Sequence, residues 1–366
     1  MTLEDIALTL TPGLGIKGVV HLLETFGDAQ RVFAASTEEL LHVARLREDA
    51  VRNLIARKGF SAAEKELNYC RHHHITAVAS TDADYPPLLR EIGDYPHILY
   101  VCGHVEALSG RCISMVGTRN LTTYGADVCQ ALVAGLSARV PELVIVSGLA
   151  FGGDAACHRA AVSCGVPTVG VLANALPEVT PAQHTALARE MIEQGGALVS
   201  ELHANARQNG NFYAARNRII AALSAGTIVV ESAAEGGSLL TAKYADGYGR
   251  TVLAIPGRVD AKYSVGTNLL IRNRVAQLIL SAEDVIRELM WDLDLQDVGP
   301  RPQASSAELI PAEAALLAHF KTEEPLTMNE LANLSGLDVG ALSALLVGLE
   351  LAGVIRQMPG NTYRKR

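Results

Sequence analysis

The chain runs to 366 residues, with 31 Lys plus Arg against 39 Asp plus Glu and a formal charge of −8. At 49% hydrophobic and 19% charged it is too apolar for a disordered protein, and it is long enough for roughly two to three domains. The acidic total argues against a uniformly cationic, nucleic-acid-coating surface but permits one local basic groove, because net charge governs solubility and steering rather than what one cleft can hold.

The segment Met1 to Leu10 carries Glu4 and Asp5 and lacks the basic-then-apolar order of a secretory signal. No apolar run approaches the ~18 residues needed to span a bilayer. The six cysteines (Cys70, Cys102, Cys112, Cys129, Cys157, Cys164) show no CxxC spacing, which suits reduced thiols in a cytoplasm. Residues 1 to about 75 read as helical, with apolar positions three and four apart, as in Val19, Leu22, Leu23 and Phe26. Between two of these helices, Pro12-Gly-Leu-Gly15 forms a turn that either presents N–H groups to a phosphate at the next helix start or is a plain helix connection. Cys70 followed by His72, His73 and His74 is a weak metal candidate, since consecutive histidines diverge from any regular backbone.

From about Ile113 to Leu289 the period changes to short apolar runs, each followed by a Gly-rich turn and a helical stretch. The runs are Ile113–Val116, Leu143–Val146, Thr168–Leu172, Ala197–Val199, Thr227–Val230, Thr251–Ile255 and Gln277–Leu280. Strands apolar on both faces and separated by helices belong in a parallel sheet covered on both sides, which predicts an α/β fold with a Rossmann-like doubly wound core. Residues 297–306, rich in Pro, Ser and Gly, read as a linker. Beyond it, helical patterns over Ala312–Phe320, Met328–Ser335 and Asp338–Ala352 and a hairpin around Pro359-Gly360 predict a winged helix. No Lys or Arg lies between Leu326 and Ile355, so this module suits a protein partner better than a DNA groove.

Ligands of open α/β sheets bind beyond the carboxyl ends of the strands, so the turns there carry the candidates. They are Gly117-Thr118-Arg119 after the first run, Ser147-Gly148 through Gly152 and Asp154 after the second, and Gly237, Ser238 and Thr241 after the fifth. Small residues running into helix starts aim N–H groups at one anion site. None of these turns carries G-x-G-x-x-G, and the Walker A pattern is absent, which disfavours an ordinary NAD or ATP enzyme. Arg216, Asn217 and Arg218, with Phe212 and Tyr213 upstream, occupy a stretch free of Asp and Glu from Leu202 to Val230. Arginine forks hold phosphates and aromatic faces stack bases; alternatively, the arginines pair with Glu231 or Glu235 and the aromatics fill the core. Asp154 and His158, four apart, share a helix face as a catalytic or, more commonly, a structural pair. Ser238 and Thr241 suit helix-start capping and phosphate contact.

At these turns the sequence resembles the DNA-processing protein A (DprA, or Smf) family. The matching blocks are Val116-Gly-Thr-Arg119 through Tyr124-Gly125, Ser147-Gly-Leu-Ala150 with Gly152, Asp154 and His158, Arg216-Asn-Arg-Ile-Ile220, Gly237-Ser-Leu-Leu-Thr-Ala242, and Ile255-Pro-Gly257 with Gly266-Thr-Asn268. The resemblance implies a helical domain like a SAM or helix-hairpin-helix module over 1–80, a Rossmann-like DNA-binding domain over 81–296, and a winged helix over 307–366. It further implies a cytoplasmic, non-catalytic homodimer that needs no cofactor or metal. Such a protein binds and shields single-stranded DNA during natural transformation and helps load the RecA recombinase. Gly117, Thr118 and Arg119 would hold phosphate or base, Arg216, Asn217 and Arg218 the backbone, and Phe212 would stack. The chain departs from the family at Ala173–Pro177, at Ala214 or Ala215 where proline is common, and at Arg274-Val275 near the expected dimer contacts. Two other readings stand beside it: a phosphoribohydrolase-like nucleotide enzyme, whose Pro and catalytic Glu are missing around Glu235-Gly-Gly-Ser238, and a nucleotide-sensing scaffold whose winged helix recruits a partner.

Overall fold

In a computed structural model of the chain, which describes residues 1–44, 46–206, 210–294, 311–320, 325–351, 354–358 and 362–365, two compact units separate at Pro300 and Arg301. The predicted linker at 297–306 and the predicted hairpin turn at Pro359-Gly360 lie outside the described residues.

The first unit is built on nine strands: β1 (Thr76–Ala79), β2 (Ile98–Gly103), β3 (Arg111–Val116), β4 (Leu143–Ser147), β5 (Thr168–Val171), β6 (Ala197–Ser200), β7 (Gly226–Val229), β8 (Thr251–Ala254) and β9 (Gln277–Leu278). Their order is β1-β2-β6-β5-β4-β3-β7-β8-β9. All pairs from β6 to β9 are parallel, whereas β2 joins β6, and β1 joins β2, antiparallel. The seven parallel strands coincide with the seven apolar runs. The antiparallel edge, β1 and β2, escapes a reading tuned to strand-turn-helix repeats.

Period-two alternation explains why both faces are dry. Cys112 and Val116 of β3, with Val144, Val146, Val229, Val252 and Ala254, meet the helices Asn211–Ala222 and Gly237–Gly247 on one face. Ile113, Met115, Leu143, Ile145, Ile228 and Leu253 meet Thr123–Ser137, Gly153–Ser163 and Ala282–Glu288 on the other. Each such fully buried Leu, Ile or Val contributes roughly 1.5–3 kcal/mol. The N-terminal helices keep a core of their own, around Leu8, Val19, Leu22, Val32 and Leu54, and also join the sheet, where Ile6, Ala63 and Cys70 pack with Ile98, Tyr100 and Leu198. A buried polar line reinforces that join. Asp5 caps its own helix through Thr2 and meets the His97 ring at 3.1 Å, and the other nitrogen of that ring meets the Ser80 hydroxyl at 2.7 Å.

In the second unit, the helices Pro311–Leu317, Met328–Ser335 and Val339–Leu351 accompany a three-stranded sheet of β10 (Leu326–Thr327), β12 (Thr362–Lys365) and β11 (Ile355–Met358), in that order. Three helices with an antiparallel hairpin make the predicted winged helix. Leu316, Phe320, Leu331, Leu342, Leu346 and Ile355 fill its core. Among the described residues, no single helix is long and apolar enough to cross a membrane.

Candidate functional site

The chain leaves β3 in one direction through β4, β5 and β6, then returns to the other side of β3 as β7. The carboxyl ends of β3 and β7 are therefore the point where strand order reverses, and a crevice opens there because the two following connections part. Backbone hydrogen bonds stitch its floor: Thr118 N–H donates to Glu231 O at 2.8 Å, and Gly153 N–H donates to Thr118 O at 3.0 Å. The Glu231 carboxylate accepts from the Thr122 N–H at 2.9 Å and hydroxyl at 2.6 Å, while Thr122 caps the helix Thr123–Ser137. This carboxylate is thus engaged by Thr122, across the switch point, and not by an arginine.

Glycine is required where these loops touch. Gly152 has φ +74°, and a Cβ there would lie 2.3 Å from Thr118 O. Gly153 lies so close that its Cβ would fall 2.5 Å from Gly117 Cα. Three connections can therefore converge on a single cleft of about 490 Å³. Gly117, Thr118 and Arg119 form one wall, the helix Asn211–Ala222 contributes Tyr213, Arg216 and Asn217, and Gly237, Ser238 and Thr241 open the helix Gly237–Gly247. That helix start has no side-chain cap, so its N–H groups and positive dipole end face the cleft.

Arg216 is the centre of the site. It is 6% exposed, and neither its Nε nor its Nη1 has a hydrogen-bond partner among the described residues. Burial lowers its pKa, and Asp154 opposes that shift. Asp154, also on the cleft wall, has its carboxyl pKa raised by burial, against the pull of Arg216 and the Ala150 N–H. His158 does not bond Asp154. The Thr168 hydroxyl donates to Ile145 O, so His158 Nδ1 must donate to Thr168 Oγ1, leaving Nε2 as a buried lone pair without a partner among the described residues. Burial holds this imidazole neutral, with a pKa of about 3. Uncompensated donors on a buried guanidinium are costly to keep, and an anion entering the cleft would satisfy them.

Gly148 makes room for that guanidinium: a Cβ at 148 would sit 1.4 Å from Arg216 Nη1. Gly148→Ala is therefore expected to cost about 1–3 kcal/mol by overpacking in the native background and almost nothing beside Arg216→Ala. A double-mutant cycle from urea midpoints checks this, and equal costs in both backgrounds would break the assignment.

Eight of the predicted residues converge on the cleft: Gly117, Thr118, Arg119, Arg216, Asn217, Gly237, Ser238 and Thr241. Five do not line it. Ser147 is buried and donates to Met115 O at 2.6 Å, and Gly148 and Gly152 serve packing. Phe212 lines a different cavity. Arg218 is turned away into a buried network, bidentate to Glu201 at 2.6 and 3.1 Å and near Asp94 at 3.5 Å, with Tyr248 donating to Asp94. The reason is helical geometry: residues two apart point to opposite sides, so Arg216 and Arg218 cannot share a face. The acid-free window ended one residue short of Glu201, and Asp94 arrives from a distant segment. Tyr213 stands three before Arg216 on the same face, and this spacing could have marked it, rather than Phe212, as the aromatic of the cleft.

Residues 76–290 match the family model of DNA recombination-mediator protein A, and residues 300–361 that of the DprA winged helix domain. Protein Smf of Escherichia coli is 34% identical over 315 residues, 85% of this chain and 82% of its own length. The DNA processing protein DprA of Bacillus subtilis is 37% identical over 220 residues, 60% of this chain and 73% of its own. Among solved structures, DNA processing protein A of Streptococcus pneumoniae superimposes with a TM-score of 0.67 at 30% identity, covering 79% of this chain and 98% of that one. DNA processing protein A of Helicobacter pylori, which binds single-stranded DNA, gives 0.53 at 26% identity over 60% of this chain and 98% of its own.

Proposed function

The chain belongs to the DNA recombination-mediator protein A family, and on that premise we propose that it binds single-stranded DNA in the cleft at the switch point, shields it and helps load the RecA recombinase during natural transformation. The observation that carries the reading is the buried Arg216, whose Nε and Nη1 have no partner among the described residues, beside a helix start with no side-chain cap. Arg119, exposed at the mouth, meets the backbone first; Arg216 and Asn217 hold a phosphate deeper in; Tyr213, 41% exposed on the rim, stacks a base. The charge distribution agrees, since residues 291–366 carry 6 Lys plus Arg against 10 Asp plus Glu and leave DNA to the middle of the chain.

The working form in this reading is a cytoplasmic homodimer joined through the Rossmann-like domain, with the winged helix facing a protein partner. Strand β9 is an open sheet edge, with Leu278 and Leu280 exposed beside it, and such an edge suits pairing between copies. The site is read as non-catalytic, because Asp154 sits buried beside Arg216 and the Glu235 segment lacks the proline and the downstream glutamate of a phosphoribohydrolase. Release of free base from nucleoside monophosphates by the pure protein would overturn that part.

The direct test is titration of oligo-dT against duplex at two salt concentrations. Single strand should bind more tightly, and Arg119→Ala should lower the salt slope by roughly 0.7, one phosphate contact. Equal affinity for duplex, together with an unchanged slope, would sink the proposal.

A further inference from the structure

A second cavity, of about 260 Å³, lies on the other side of the first turn of the helix Asn211–Ala222, within the same compact unit. Consecutive residues divide the two spaces: Tyr213 lines the cleft, and Phe212 lines the cavity. Its other walls include Leu14 and Gly15 of the glycine turn, Ile16 of the helix that follows, Tyr100 of β2, and Glu201 and His203 beyond β6.

We propose that this cavity receives a nucleobase of the strand held in the cleft, with the adjoining phosphate at the Gly15 helix start; the inference rests on the single-stranded DNA reading above. The volume lies below the ~300–1,000 Å³ of drug-sized ligand sites and suits one planar ring system. Phe212 offers a stacking face, which accepts any base. Partial burial lowers the pKa of His203, which favours the neutral ring with one donor and one acceptor for a base edge. The Glu201 carboxylate is already bidentate to Arg218, so it brings no unpaired negative charge against a phosphate. At the mouth, the helix Ile16–Phe26 starts at Gly15 with no side-chain cap, and Lys17 is exposed in its first turn. The strand would thus pass from Arg216 around Tyr213 and Phe212 to the glycine turn, joining the N-terminal helices to the DNA path.

Gly15 allows a clean test. Its φ is −100°, and an added Cβ would meet nothing within 4 Å, so Gly15→Asp supplies an ordinary N-cap while placing negative charge where the phosphate would lie. In the full-length protein, affinities for oligothymidylates of increasing length are measured for wild type, Gly15→Asp, Phe212→Ala and Arg119→Ala. Wild type should gain affinity over a length step that Gly15→Asp and Phe212→Ala each lose, by about 5-fold or more, the worth of one stacked base at ~1 kcal/mol. Their affinity for the shortest oligomers should be unchanged, and thermal melting should show Gly15→Asp at least as stable as wild type. A length dependence like that of wild type in both variants, or equal losses at every length, would overturn the second site. Arg119→Ala separates the two claims: it should weaken binding at all lengths, and normal binding by that variant would refute the cleft itself.

Discussion

Arg216→Met should weaken single-stranded DNA binding by about 100-fold or more while the fold survives, because burial already raises the pKa of Asp154, its charged neighbour, and a protonated Asp154 needs no counter-charge. Two charge-assisted hydrogen bonds from a guanidinium to a phosphate are worth ~1.5–3 kcal/mol each, and neither Nε nor Nη1 has another partner among the described residues. The free protein bears the cost of keeping those donors buried, and that cost disappears when a thioether of similar length fills the space. Binding is read from fluorescence anisotropy with oligo-dT, and stability from urea denaturation. A folded Arg216→Met protein that binds normally would remove Arg216 from the site. A large loss of stability would show that Asp154 stays ionised and relies on the guanidinium, which would make Arg216 a structural ion-pair partner.

The second large effect runs the other way. Arg218→Ala should destabilise the protein by about 3–5 kcal/mol, because it leaves Glu201 and Asp94 near each other without the guanidinium that pairs both. The side chains of Arg218 and Glu201 are 5% and 13% exposed, so water replaces little of the lost interaction. Among the molecules that remain folded, the salt slope of DNA binding should match wild type, since no phosphate contact is lost from the cleft. The urea midpoint should fall with an unchanged m value, the mark of altered stability rather than altered compactness. A stable Arg218→Ala protein with a flattened salt slope would reverse the roles assigned to the two arginines.

These neighbours show where legibility stopped. A run of Arg-Asn-Arg in a stretch without acid reads as a double clamp, because composition has no direction. Once the segment is a helix, 100° per residue sends one guanidinium to the cleft and the other beneath it. The same rotation separates Phe212 from Tyr213. The cleft glycines were visible as turn signals, but only the converging loops show that Gly148 accommodates Arg216, whereas Gly152 and Gly153 accommodate backbone.

The sequence by itself determined the parallel sheet, its seven strands, the winged helix and the turns that meet at the strand ends, because each depends on local periodicity and on residues close along the chain. It also identified the family, since the diagnostic blocks are short and contiguous. Only the tertiary structure decided which residues face the cleft, which acids engage Arg218, and that the N-terminal helices pack against the sheet and wall a second cavity. Those outcomes depend on contacts between separate elements, some far apart in the chain, as in Asp5 with His97 or Arg218 with Asp94, and no local pattern encodes which side chain of another element will satisfy a buried charge.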